Sequence, residues 1–127
     1  NYGRTVLIIE SSDKSSLTEF LNTLFTQLRK KYSLPSEIEP KMNLLCSFQE
    51  DIWRIIIFPR TKHRPDSYFK TGEEQILVSP ASIDMGGLII TPREKDFMTL
   101  DAKTIEKIFH EVSEKPEFVE KVLQGLP

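Results

Sequence analysis

Met42-Asn43-Leu44-Leu45-Cys46-Ser47-Phe48, then Gln49-Glu50-Asp51, then Ile52-Trp53-Arg54-Ile55-Ile56-Ile57-Phe58, is the stretch that decides the fold. Two runs rich in β-branched, aromatic and other apolar residues flank a short polar turn, the pattern of a β-hairpin. The second run is almost continuously apolar. That suits a central position in the sheet.

Working outward toward the N-terminus, Thr5-Val6-Leu7-Ile8-Ile9 is another β-branched run and reads as a strand. Polar Glu10 to Ser15 ends it. Ser16-Leu17-Thr18-Glu19 has the spacing of a capping box. Leu17, Phe20, Leu21, Leu24, Phe25 and Leu28 then recur every three or four residues, predicting an amphipathic helix to about Lys31. Pro35 and Pro40 make residues 33–41 a connector.

On the other side, residues 59–72 form a long polar loop, and Gln75 to Ser79 reads as a fourth strand. Pro80 to Gly87 connects to a fifth strand, Leu88-Ile89-Ile90-Thr91. Asp101 can cap a helix running to Val112, with Ile105, Ile108, Phe109 and Val112 on one face. Pro116 opens a last helix that ends near Gly125. The order β, α, β, β, β, β, α, α predicts an α+β fold: a mainly antiparallel sheet of about five strands, with helices on one face.

The 127 residues, 39% hydrophobic and 28% charged, fit a single globular domain. The strand that follows Asn1 so abruptly, with no initiator Met, leads us to expect the C-terminal lobe of a larger protein. The net charge of −2 supplies no field for nucleic acid or anionic membrane, and neither is expected as a partner. No segment reaches the roughly 18 apolar residues of a membrane span. The single cysteine, Cys46, reads as a small buried hydrophobe rather than a reactive thiol. With no internal disulfide available, a cytoplasmic location is expected.

One charge cluster departs from this balance. In Phe58-Pro59-Arg60-Thr61-Lys62-His63-Arg64-Pro65, Arg60, Lys62 and Arg64 give a local +3 in a chain whose total is −2. Arginine forks and lysine point charges both suit phosphate oxygens, and His63 adds a further donor or acceptor. The same run also reads as a solvated loop whose charges keep it wet. Ser79-Pro80-Ala81 to Gly86-Gly87 is a second candidate, but no Gly-Lys-Ser/Thr follows it, so a structural turn is favoured. Ser79 has no recognisable base and no nucleophile-elbow context. His63 and His110 stand 47 positions apart without ligand-spaced partners, so neither a metal site nor a cofactor is expected.

Met42-Asn43-Leu44-Leu45, Trp53-Arg54-Ile55-Ile56-Ile57-Phe58-Pro59-Arg60 and Ser79-Pro80-Ala81 to Gly86-Gly87-Leu88-Ile89-Ile90 together carry a resemblance. They are similar to the C-terminal lobe of diadenosine-tetraphosphate phosphorylases (ATP adenylyltransferases), and to the related sugar-nucleotide phosphorylases of the histidine-triad-like superfamily. The pair Phe58-Pro59-Arg60 and His63-Arg64-Pro65 most resembles a bacterial family with that pairing. The resemblance implies a histidine-triad-like fold and nucleotidyl transfer through a nucleophilic histidine. That histidine belongs to a His-x-His-x-Gln motif in a preceding lobe, and this chain has no such motif, so no catalytic residue carries over. It further implies that Arg60, Lys62, His63 and Arg64 line a nucleotide or phosphate groove facing the N-terminal lobe, with Asn43 and Ser79 on the same face. The expected partners are that lobe and a nucleotide or sugar-phosphate ligand, with a homodimer left open. Two functions follow. The chain is the supporting lobe of a nucleotidyltransferase or phosphorylase, without its own nucleophile. Alternatively, it is a non-catalytic module for dimerisation or partner binding.

Overall fold

The computed structural model describes residues 4–126. Strand β1 (Leu7–Ser11) is followed by helix α1 (Lys14–Lys31) and by the hairpin β2 (Met42–Gln49) and β3 (Ile52–Pro59). Two 3-10 turns, Asp66–Phe69 and Gly72–Glu74, lead to the short helices α2 (Ser82–Met85) and α3 (Glu94–Thr99), and the chain closes with α4 (Ala102–Val112) and α5 (Pro116–Leu123). The sheet is antiparallel in the order β1-β3-β2, so β3 is central as its apolar run requires.

The hairpin turn is tighter than the sequence suggests. Gln49 pairs with Ile52, leaving only Glu50 and Asp51 in the loop. Both take positive φ, 51° and 59°. A two-residue turn of this hand matches the right-handed twist of the strands, although side chains other than glycine are strained there. Helix α1 also begins earlier than the capping-box reading places it. Asp13 is the cap, and its carboxylate accepts from the amides of Ser15 and Ser16, each at 3.1 Å.

Alternate residues of a strand face opposite sides of its sheet. On one side Ile55 and Ile57 pack with Leu17, Leu24 and Leu28 of α1 and Val122 of α5. On the other, Phe58 packs with Met85 of α2 and Phe109 of α4, with Leu45 and Ile56 against them. Helices therefore cover both faces, not one. β3 is half apolar on each side, and each half needs its own cover.

The described residues form three paired strands rather than about five. In both segments read as further strands, backbone groups find other partners. In residues 75–79, the Leu77 amide donates to the Asp96 carboxylate and the Gln75 carbonyl accepts from Arg93 and Lys95. In residues 88–91, the Ile90 amide donates to the Asp84 carboxylate at 3.1 Å. A side-chain acceptor has taken the place of a neighbouring strand.

Burial rises along the hairpin. The second half of β2 is exposed, Cys46 included, because β2 is an edge strand that the helices cover only at its start. β3 runs from exposed Ile52 to buried Phe58 and Pro59, and Arg60, which follows it, is buried as well. Among the described residues no helix is long and apolar enough to cross a membrane.

Candidate phosphate-binding site

The basic loop leaves β3 from a fixed base. The Arg60 amide donates to the Lys41 carbonyl at 2.8 Å, and the Thr61 amide to the Val112 carbonyl at 3.0 Å. The Glu114 amide donates to the Pro59 carbonyl at 3.0 Å, so the end of α4 is laced to the end of β3. The Tyr32 hydroxyl donates to the Arg60 carbonyl at 3.1 Å. Burial, reinforced by the Glu114 carboxylate, holds that phenol protonated well above its usual range.

Arg60, expected to line a groove, is instead buried, with 1% of its surface exposed. One guanidinium nitrogen donates to the Asn43 side-chain oxygen and to the Pro80 carbonyl; the other donates to the His63 carbonyl at 2.8 Å. Its Nε has no partner among the described residues. Burial pulls the Arg60 pKa below its ordinary value, and the Asp84 carboxylate opposes that shift. Asp84 is itself buried, and it accepts from the Ala81 amide at 2.9 Å as well as from Ile90. The two charges thus tie the end of β3, the start of α2 and the segment after it into one network.

Lys62 turns away from this network. It lies 2.6 Å from both Asp66 and Glu111, and its hydrogen bonds to Asp66 and then Glu111 hold its pKa above the usual lysine value. Arg64 is different. Its guanidinium stacks over the Tyr68 ring at 4.5 Å, and its Nε donates to the Ser79 hydroxyl at 3.3 Å. Among the described residues it has no carboxylate partner, and it is exposed together with Ser79 and His63.

The six candidate residues therefore separate into layers. Asn43 and Arg60 form a half-buried to buried inner layer, His63, Arg64 and Ser79 an outer one, and Lys62 is committed to α4. What the outer layer offers chemically is a guanidinium without a carboxylate partner among the described residues, beside the Ser79 hydroxyl, a pair suited to phosphate oxygens, with exposed His63 next to Arg64 in the chain. Asp84, Glu111 and Tyr68 were not foreseen from sequence. Asp84 did leave a signal, as a lone acid in the otherwise apolar Ile83-Asp84-Met85. Among the described residues no group of three or more His, Cys, Asp or Glu side chains is placed to hold a metal ion.

A family comparison supports a phosphorylase-like C-terminal domain. The family model described as "GDPGP1-like, C-terminal domain" matches residues 1–124, and the chain belongs to that family. The match supports the sugar-nucleotide side of the resemblance and leaves the bacterial diadenosine-tetraphosphate side without support. No curated protein and no solved structure matches the chain.

Proposed function

We propose that this domain is the supporting lobe of a nucleotide-sugar phosphorylase and that Arg64, Ser79 and His63 contact the phosphates of the nucleotide. The observation that carries the proposal is the family match over residues 1–124. The uncompensated Arg64 beside Ser79 supports it. Phosphorolysis of a nucleotide sugar breaks the bond between the nucleotidyl phosphorus and the bridging oxygen, which leaves on the sugar 1-phosphate. A new bond forms from that phosphorus to an oxygen of inorganic phosphate, giving a nucleoside diphosphate. The negative charge persists throughout, so a fixed guanidinium contributes mainly by holding and orienting it. The nucleophile of the resemblance lies in a preceding lobe, and in this reading the present chain contributes binding rather than covalent chemistry.

The test is to incubate the full-length protein with a GDP-hexose and inorganic phosphate and to follow hexose 1-phosphate by phosphorus NMR. Release that requires inorganic phosphate is expected. Turnover of diadenosine tetraphosphate in place of the nucleotide sugar would move the assignment to the other branch of the resemblance. Absence of both would remove the enzymatic reading.

A second reading, a docking module, has an observation of its own. Ile83, Leu88 and Ile90 are more than half exposed and lie within ten residues after Pro80. Side chains of this kind suit cover by another domain, and in the proposed assembly that cover is the N-terminal lobe.

A further inference from the structure

Arg60 shares its sheet face with Ile56 and Phe58, whose neighbours are apolar. An arginine in such a place is a poor stabiliser. Replacing buried ionic groups by well-packed apolar ones is often neutral or favourable, and here one buried nitrogen of the guanidinium lacks a partner among the described residues. Stability alone does not account for it, but its contacts do. The two carbonyls it holds belong to His63 and Pro80, each one residue from an exposed donor, Arg64 and Ser79. Asn43 anchors the same fork to β2, and Asp84 beneath it fixes the Ala81 amide.

We propose that Arg60 is a positioning residue: its buried guanidinium sets the gap between the 61–65 loop and the 79–81 segment, and with it the separation of Arg64 and Ser79, without touching the ligand. The inference rests on the reading of Arg64 and Ser79 as phosphate donors. A planar fork with fixed donor directions can hold two carbonyls at a set spacing, whereas a lysine ammonium on a flexible stem holds them loosely. Arg60→Lys thus keeps the charge and removes the spacing.

The experiment is a double-mutant cycle in the full-length protein, titrating GDP into wild type, Arg60→Lys, Arg64→Ala and the double variant. Amide hydrogen exchange is measured on wild type and Arg60→Lys. Each single variant is expected to weaken GDP about tenfold, and the double variant no more than about twofold beyond the worse single, because both changes act through one contact. Exchange is expected to quicken by about tenfold in residues 61–64 and 81–82 together, with β1 and β3 unchanged. Should Arg60→Lys not fold, Asn43→Ala replaces it in the cycle, with about a threefold loss of affinity expected from removing one anchor. Wild-type affinity in that replacement would overturn the proposal. So would wild-type affinity in Arg60→Lys beside a weakened Arg64→Ala, or losses that simply add. If Arg64→Ala binds GDP as wild type does, the phosphate reading fails. The clamp then stands or falls on exchange alone: faster exchange at both segments keeps it, and unchanged or uniformly faster exchange overturns it.

Discussion

Arg54, near the start of β3, and Arg60, just past its end, stand six residues apart, and the protein uses them in opposite ways. Arg54 pairs with Glu10 across the strands at 2.5 Å, with both side chains about half exposed (51% and 49%). Water remains an alternative partner for each, so the pair matters little to folding. Arg60 has left water, and its fork is held by a side-chain amide and two backbone carbonyls, with Asp84 as the counter-charge. The strand is open at its turn end and closed at its base, and the closed base is where the candidate site is assembled. Formal charge does not distinguish these two arginines; burial and the direction of their donors do.

The comparison can be broken most easily at Arg60. Arg60→Ala strands three acceptors and the Asp84 carboxylate, and it should cost about 3 kcal/mol in denaturant unfolding. A loss below about 1 kcal/mol would mean the base tolerates opening, as the turn end does. Asp84→Ala should come next, at about 2 kcal/mol, because it removes the acceptor for two amides and the counter-charge together. At the open end the changes are smaller and one has the opposite sign. Replacing Glu50-Asp51 by Asn-Gly relieves side chains held at positive φ and should raise stability by about 1 kcal/mol. Arg54→Ala should cost no more than about 0.5 kcal/mol and should lose even that effect in high salt.

The hairpin was legible because two apolar runs around a short polar turn leave few other folds open. The extra strands were misread for a definite reason. Apolar periodicity reports that a segment is extended and half-buried, not which group accepts its amides. Asp84 and Asp96 supply the acceptors that neighbouring strands would have supplied, and nothing in local pattern marks a carboxylate as a strand substitute. The second face of helices was missed for a related reason, since a continuous apolar run was credited to a central position without asking what covers each side. In the basic loop the charge cluster stands out in the sequence, but the separate placements of its residues do not follow from spacing. Extending the alternation of Ile56 and Phe58 by two positions would have directed Arg60 inward. No such rule sorts Lys62 from Arg64, because the carboxylates that claim Lys62 come in part from Glu111, far along the chain.

The measurement that bears most directly on the functional account is steady-state kinetics of Arg64→Ala in the full-length protein, with a GDP-hexose as substrate. The account predicts kcat/KM lower by about tenfold, the loss of one charge-assisted contact to phosphate, with unfolding within about 0.5 kcal/mol of wild type. Unchanged kcat/KM in a normally folded variant would contradict it and remove the Arg64–Ser79 pair from the site.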